Sequence, residues 1–533
     1  MTEFNLALSA AGQSSFQSVI DDLVADQVAS RVTAHDPTLW GPDAESEAGI
    51  RLAWTDLGES SRPLIAEIDT LRDEFTIRGF NHVVLSGMGG SSLAPEVICA
   101  AAGVDITVLD SSDPDQVRQA LSDRLETSIV VVSSKSGGTV ETDSQKRAYE
   151  HALRDAGHDP VDHLVIVTDP GSPLDKSARA DGYHVFNANP NVGGRYSALT
   201  AFGLVPSGLA GAPLAVLLDE ASAAAGQFGA DSADNPAIRL GAMMGLAATT
   251  GVDKLVITDV AGNGIGNWIE QLVAESTGKL GKGILPVVVP SANAPNFSPS
   301  TADSVLISIG GPLETEPASG FEGSVTAPLG AQILLWEYAT AIAGRIIGID
   351  PFNQPDVERA KDAARGLLDG GAPTKADFID GTIAVFASGG LLPEETATIE
   401  AAIDALLARI DPGHGYLAIQ AYLNRHGSPQ LPETREHMAL RTGRPTTFGW
   451  GPRFLHSTGQ YHKGGPEQGV YLQITSDPER DLDIPGRPFT FGEFRDAQAV
   501  GDGDVLAGHG RPVLRLHATD LDVDLARIIE ALT

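Results

Sequence analysis

Cys99 is the only cysteine in 533 residues, which excludes a disulfide framework and a cysteine-rich zinc site. Aromatic residues are scarce at 6%, and 36 Lys and Arg stand against 70 Asp and Glu. The net charge of −34 repels nucleic acid and anionic membrane, so an anionic ligand needs a local positive cradle. The start, Met1 to Leu6, carries Glu3 and has no basic-then-apolar signal segment, so the sequence predicts a cytoplasmic protein. One uncharged stretch, Ala198 to Leu218, has the length to cross a bilayer. Pro206 and Pro213 interrupt it, and Ser207, Gly208 and Gly211 dilute it, so a buried helix, a turn and a second helix are expected.

What is present is globular: 42% apolar and 20% charged residues over a length that suits two or three domains. The runs His82–Ser86, Ile106–Leu109, Ser128–Val132 and His163–Val167 are short, apolar and β-branched, and alanine-rich helical stretches separate them. Such strands predict a parallel sheet covered on both faces. A second set follows at Lys254–Thr258, Ile284–Val289 and Ser304–Ile309, with Thr382–Phe386 assigned to it as a later member. The expected architecture is therefore α/β, two mainly parallel sandwiches in tandem over residues 46–230 and 231–475. Phe16, Val19, Ile20, Leu23 and Val24 predict a helical lead-in over 1–45. Residues 476–533 form a C-terminal extension, with late strands expected at Val470–Ile474 and Val513–Leu516.

Two loops carry the chemistry. The first strand runs into Gly87-Met88-Gly89-Gly90-Ser91-Ser92 and then a helix, a turn whose successive N–H groups suit phosphate. A dinucleotide turn is the alternative, with Gly87 and Gly89 as G-x-G and Asp110 downstream, although Ser92 stands where its third glycine belongs. The strand at 128–132 ends in Ser133-Ser134-Lys135-Ser136-Gly137-Gly138-Thr139, followed by Glu141 and Thr142. Hydroxyls at 134, 136 and 139 with a lysine make a phosphate-monoester cradle. A capping box from Thr139 to Thr142 explains the end of that loop but not Ser134-Lys135-Ser136.

Trp268, Leu272 and Glu275 share one face of a helix that stops at Gly278, whereas Glu270 points away from it. A carboxylate at the edge of an apolar stripe loses hydration, which favours general-base chemistry; a plain Glu275–Lys279 surface pair is the alternative. Arg195, in the turn Gly193-Gly194-Arg195-Tyr196-Ser197, can oppose a developing oxyanion.

Gly87–Pro95, Ser133–Thr142, Gly193–Ser197, Gln271–Gly283 and Asn353–Lys361 resemble, in order, successive motifs of the glucose-6-phosphate isomerase family, which has two sugar-isomerase (SIS) domains. The later part resembles the isomerase half of actinobacterial transaldolase–isomerase fusions. The resemblance implies reversible conversion of glucose 6-phosphate and fructose 6-phosphate through a cis-enediol, as in glycolysis and gluconeogenesis. It implies no metal or nucleotide cofactor and a homodimer. It makes Gly89, Gly90, Ser91, Ser134, Lys135, Ser136 and Thr139 the phosphate site and Gln271 a substrate contact. Arg195 becomes the enediolate stabiliser, Glu275 the base, and Lys361 a ring-opening or positioning group. The family's Leu-His-Ser-x-Gly-Gln segment should closely follow the glutamate, yet Ser291-Ala292-Asn293-Ala294-Pro295 stands there. A similar string, Leu455-His456-Ser457-Thr458-Gly459-Gln460-Tyr461-His462-Lys463, comes late, so His456 is expected to open the ring, with His462 the other candidate. An isomerase of another phosphorylated or sulfonated sugar and a non-catalytic sugar-phosphate sensor are the rival readings. A dehydrogenase is a distant third.

Overall fold

The structure, a computed structural model, describes residues 4–313, 315–368 and 375–533; the side chains of Ala360 and Lys361 are outside the described set. The chain opens with strand β1 (Asn5–Ser9) before its first helix, so the lead-in is not wholly helical. The first sheet contains β2 (His82–Gly87), β3 (Thr107–Leu109), β4 (Ser128–Ser133), β5 (Leu164–Thr168) and β6 (His184–Asn187). All are parallel, in the order β3-β2-β4-β5-β6. Strands β2, β4 and β5 are buried along their whole length, the burial that a sheet covered on both faces imposes on unbroken apolar runs. Helix α1 (Leu93–Ala102) follows β2, and α2 (Val140–Asp155) follows β4. The order reverses between β2 and β4, so both loops open at the crevice where sheets of this kind hold ligands.

The second sheet contains β7 (Lys254–Asp259), β8 (Leu285–Val289), β9 (Ser304–Ile309) and β10 (Glu322–Thr326), in the order β1-β10-β9-β7-β8. Strand β1 pairs antiparallel with β10, Leu6 opposite Val325, and closes that edge. Helix α3 (Ile265–Thr277) joins β7 to β8, and α4 (Leu329–Ile347) runs through the core almost wholly buried. The first two sheets share one apolar core, in which Leu85, Val131, Ile257, Ile307 and Leu335 are all buried. The segment 198–218 folds as expected: Ala201–Leu209 and the start of Leu214–Phe228 are helices joined by a turn. Among the described residues no helix is long and apolar enough to cross a membrane.

The expected two-domain division needs correction after helix α5 (Glu358–Leu368). Strands β11 (Phe378–Asp380), β12 (Ile383–Ala387), β13 (Tyr416–Tyr422), β14 (Thr446–Trp450), β15 (Gly469–Ser476) and β16 (Val513–Ala518) make a third sheet, ordered β11-β12-β16-β15-β13-β14. The strand expected at Thr382–Phe386 does not join the second sheet; it pairs antiparallel with β16, Val385 opposite Leu516, so its apolar residues pack in the third sheet's own core. The boundary drawn at 475/476 falls inside β15, and the supposed extension supplies β16 and helix α6 (Phe491–Gly508). The third sheet has its own core around Ile403, Leu417, Leu472 and Leu516. It meets the second sheet through Tyr416, Tyr471 and Leu506, packed with Val256, Leu285 and Leu306.

Candidate active site

Strand β4 delivers the hydroxyl loop to the mouth of α2. Thr139 is the residue before the first helical turn, yet its side chain makes no capping bond, and the buried Thr142 hydroxyl has no partner among the described residues. The expected capping box is therefore absent. The positive end of this sixteen-residue helix thus receives no side-chain cap from Thr139, the situation that suits phosphate. Ser134 is buried and shapes the loop from within: its Oγ accepts from Gly137 N–H at 3.1 Å and donates to Thr139 Oγ1 at 3.4 Å. Ser136 and Thr139 line a cavity of about 520 Å³, together with Glu141, His456, Glu358 and Gln498.

Lys135 departs from its expected role. Its ammonium pairs with Asp169 at 2.7 Å and donates to the carbonyls of Val192 at 2.9 Å and Pro190 at 3.4 Å. The side chain thus straps the phosphate loop to the turn that leads into Arg195, and burial pushes its pKa down. Gly89 and Gly90 are likewise part of the wall. A Cβ on Gly89, whose φ is +56°, would lie 2.6 Å from the carbonyl oxygen of His456, and one on Gly90 would lie 2.0 Å from that of Gly194. Glycines at these positions let the first loop touch the histidine string and the arginine turn at once. Ser91 is half-buried in the same turn. Asp110, the acid of the dinucleotide alternative, is 2% exposed and carries Arg453 at 3.2 Å and Ser92 at 3.3 Å, which leaves it no ribose to bind.

Arg195 is buried with every guanidinium donor engaged. Nε donates to Ser276, Nη1 to Gln354 and Glu275, and Nη2 to the carbonyls of Pro351 and Asn353, at distances of 2.9–3.1 Å. Glu275 is thus paired with Arg195 at 3.1 Å and not left against apolar surface alone, and its side chain is 14% exposed. Lys279 does not pair with Glu275; it caps the carbonyls of Asp350 and Asn353, each at 2.6 Å, and holds the segment that presents Gln354. Gln271, one helical turn before Glu275, donates through Nε2 to Glu275 Oε2 at 3.1 Å and to the carbonyl of His456 at 2.8 Å. Base and histidine string are thereby tied by one amide.

His456 and not His462 reaches the cavity. His462 is buried among Tyr416, Tyr461 and Tyr471, bonds Tyr416 Oη through Nδ1 at 3.0 Å, and is held neutral by burial. His456 Nε2 lies 2.8 Å from Glu141 Oε1. Gln460, from the same string, accepts from Asp356 N–H and donates to the Gly278 carbonyl, which locks the Asn353–Lys361 motif against the end of α3. Lys361 itself sits on α5, whose Glu358, Ala364 and Leu368 border the cavity, but its side chain is outside the described residues. Glu141, Gln354 and Gln498 escaped sequence reasoning. The first had a signal, an acid in the first turn of a helix that follows a hydroxyl loop; the others had none.

Glu270, on the far side of α3, is also enclosed. Burial raises its pKa from the ordinary 4.5 to about 7, against the opposing pull of Arg435 and Arg453. The folded protein then holds a proton that the unfolded chain releases between those values. Stability should fall as pH rises from 4.5 to about 7 and level off above, by no more than about 3 kcal/mol. In Glu270→Gln this loss should disappear, so its melting temperature gains on wild type across that interval. Parallel melting curves for the two proteins at pH 5 and pH 8 would contradict the assignment.

A parallel-sheet switch point with a helix mouth that its Thr139 side chain does not cap, a histidine on the same cavity, and an arginine-held carboxylate tied to that histidine's backbone through Gln271, defines an α/β protein with one candidate site. The family model for phosphoglucose isomerase matches residues 62–280. A probable glucose-6-phosphate isomerase of Natronomonas pharaonis is 29% identical over 412 residues, 68% of this chain and 92% of that protein. The glucose-6-phosphate isomerase of a Cyanothece strain is 30% identical over 356 residues, 54% of this chain and 66% of that one. Among solved structures, a hypothetical protein of Thermus thermophilus superposes with a TM-score of 0.58 at 24% identity over 69% of this chain and all of its own. A glucose-6-phosphate isomerase of Chlamydia trachomatis does so with a TM-score of 0.53 at 19% identity, covering 67% and 85%. The family model and these relatives alike show the chain to be similar to phosphoglucose isomerases.

Proposed function

We propose that the protein interconverts D-glucose 6-phosphate and D-fructose 6-phosphate. The observation that carries this reading is the Gln271 amide, which spans the Glu275 carboxylate and the His456 carbonyl beside the uncapped mouth of α2. The phosphate is held by Ser136, Thr139 and the first-turn N–H groups of α2. His456, assisted by Lys361, moves the proton between ring oxygen and O1 that opens the ring. The Glu275 carboxylate then takes the C2 proton; a C1–C2 double bond forms as the carbonyl electrons move onto O1. Arg195 opposes that negative charge by exchanging its Nη1 contact on Glu275 for the substrate oxygen. The hydroxyl proton on O2 passes to O1 within the cis-enediol, and Glu275 returns its proton to C1 as the C2 carbonyl forms, so base and acid are one group and no redox partner is consumed.

The test is a coupled assay on glucose 6-phosphate, mannose 6-phosphate and a sulfonated hexose over a wide range of enzyme concentration. Turnover of the first substrate in excess of the others is the expected result. Binding without turnover of any of the three would favour a sensor and overturn the proposal.

A further inference from the structure

A hydrogen-bonded row runs from the first sheet into the C-terminal helix and back. Ser112 Oγ donates to Gln498 Oε1 at 2.6 Å, Gln498 Nε2 donates to Glu141 Oε1 at 2.7 Å, and that oxygen lies 2.8 Å from His456 Nε2. Ser112, Gln498 and Glu141 are 0, 5 and 6% exposed, so water does not substitute freely for any of them. The direction of the amide is set by charge: turned over, Gln498 would press its carbonyl against the Glu141 carboxylate. With two donors converging on Oε1, Glu141 acts as an acceptor there, and His456 carries its ring proton on Nε2. Nδ1, which has no protein partner among the described residues, is then the nitrogen left for the sugar.

We propose that Gln498 is a positioning residue for ring opening, which acts by fixing Glu141 in the rotamer that sets the tautomer and plane of His456. The proposal rests on the reading that His456 opens the ring. It gives helix α6, supplied by a part of the chain outside the first two sheets, a definite task in the reaction. Groups that orient metal-bound imidazoles from behind cost about 10- to 100-fold in activity when removed, and the lower end of that range is expected for this metal-free analogue.

The test measures anomerisation of glucose 6-phosphate by exchange NMR, which follows ring opening and closure without isomerisation, alongside kcat and KM. Gln498→Leu should lower both the anomerisation rate and kcat about 10-fold while KM for fructose 6-phosphate stays within about twofold. Ser112→Ala, which removes the one hydroxyl that donates to the amide oxygen and so loosens Gln498 without reversing it, should move the same two quantities in the same direction by a smaller factor; it serves if Gln498→Leu fails to fold. His456→Ala is the reference. If it abolishes anomerisation while both other variants anomerise at the wild-type rate, the role of Gln498 is overturned and that of His456 stands. If His456→Ala itself anomerises normally, the reading of the site fails. A Gln498→Leu protein that loses melting temperature and raises KM with no selective effect on ring opening would reduce the residue to a structural one and also overturn the proposal.

Discussion

Glu275→Gln should lower kcat about 10³-fold or more, the scale of a lost general base, while fructose 6-phosphate still binds within a few-fold of wild type. The substitution keeps the volume and leaves an acceptor, the amide Oε1, for Arg195, which retains four other contacts to Ser276, Gln354, Pro351 and Asn353. The amide nitrogen that takes the place of Oε2 cannot accept from Gln271, which loses that bond and keeps the one to the His456 carbonyl, so the tie between this helix and the histidine string persists. The phosphate-holding groups, Ser136, Thr139 and the mouth of α2, are not touched. What disappears is a carboxylate able to take a proton from carbon. Ring opening should therefore survive: the variant should anomerise glucose 6-phosphate at close to the wild-type rate while failing to isomerise it. Loss of both activities together would mean that Glu275 supports the architecture and not the proton transfer.

Gly90→Ala should have a comparable effect for a different reason. The added Cβ would stand 2.0 Å from Gly194 O, 2.4 Å from Gly194 C and 3.0 Å from Arg195 N, all backbone atoms that no rotamer change can move aside. The phosphate-side turn and the arginine turn must separate. A displacement of about 1 Å between reacting groups is worth about 10²-fold, so kcat/KM should fall by that order. Overpacking of this kind costs about 1–3 kcal/mol, which should appear as a lowered melting temperature. Gly226→Ala is the control: its Cβ meets nothing within 4 Å on the helix Leu214–Phe228, and it should be neutral or stabilising by about 0.5–1 kcal/mol. A Gly90→Ala protein with wild-type kinetics would show that the two turns need not touch.

Much of the site could be read before any coordinates, because its chemistry is written in local pattern. Unbroken apolar strands at Val83–Leu85 and Ile129–Val132 leading into glycine and hydroxyl turns specify parallel strands and anion loops within a few residues of chain. Glu275 was legible from its spacing to Trp268 and Leu272, both of which are buried. What stayed hidden is long-range. Nothing in Asn5–Ser9 says that it will close the edge beside β10, and nothing in Ile383–Ala387 says that its partner lies at Val513–Ala518, more than 120 residues on. Lys135 reads as an anion ligand, yet Asp169 and the carbonyls of 190 and 192 reach it first, from a strand end and a turn more than thirty residues downstream. The Glu141–His456 contact joins residues 315 positions apart. Gln498 had no local signal because glutamine on a helix is ordinary until its neighbours are known.

The most direct measurement of the central claim follows one hydrogen. Glucose 6-phosphate deuterated at C2 is converted in ordinary water, and fructose 6-phosphate is analysed for deuterium at C1. Transfer by a single carboxylate held near both carbons predicts that the wild-type product keeps part of the label at C1, the rest having exchanged from Glu275 with solvent, and that Glu275→Gln yields neither transfer nor washout of the C2 label. Continued movement of deuterium from C2 to C1 in that variant would contradict the account.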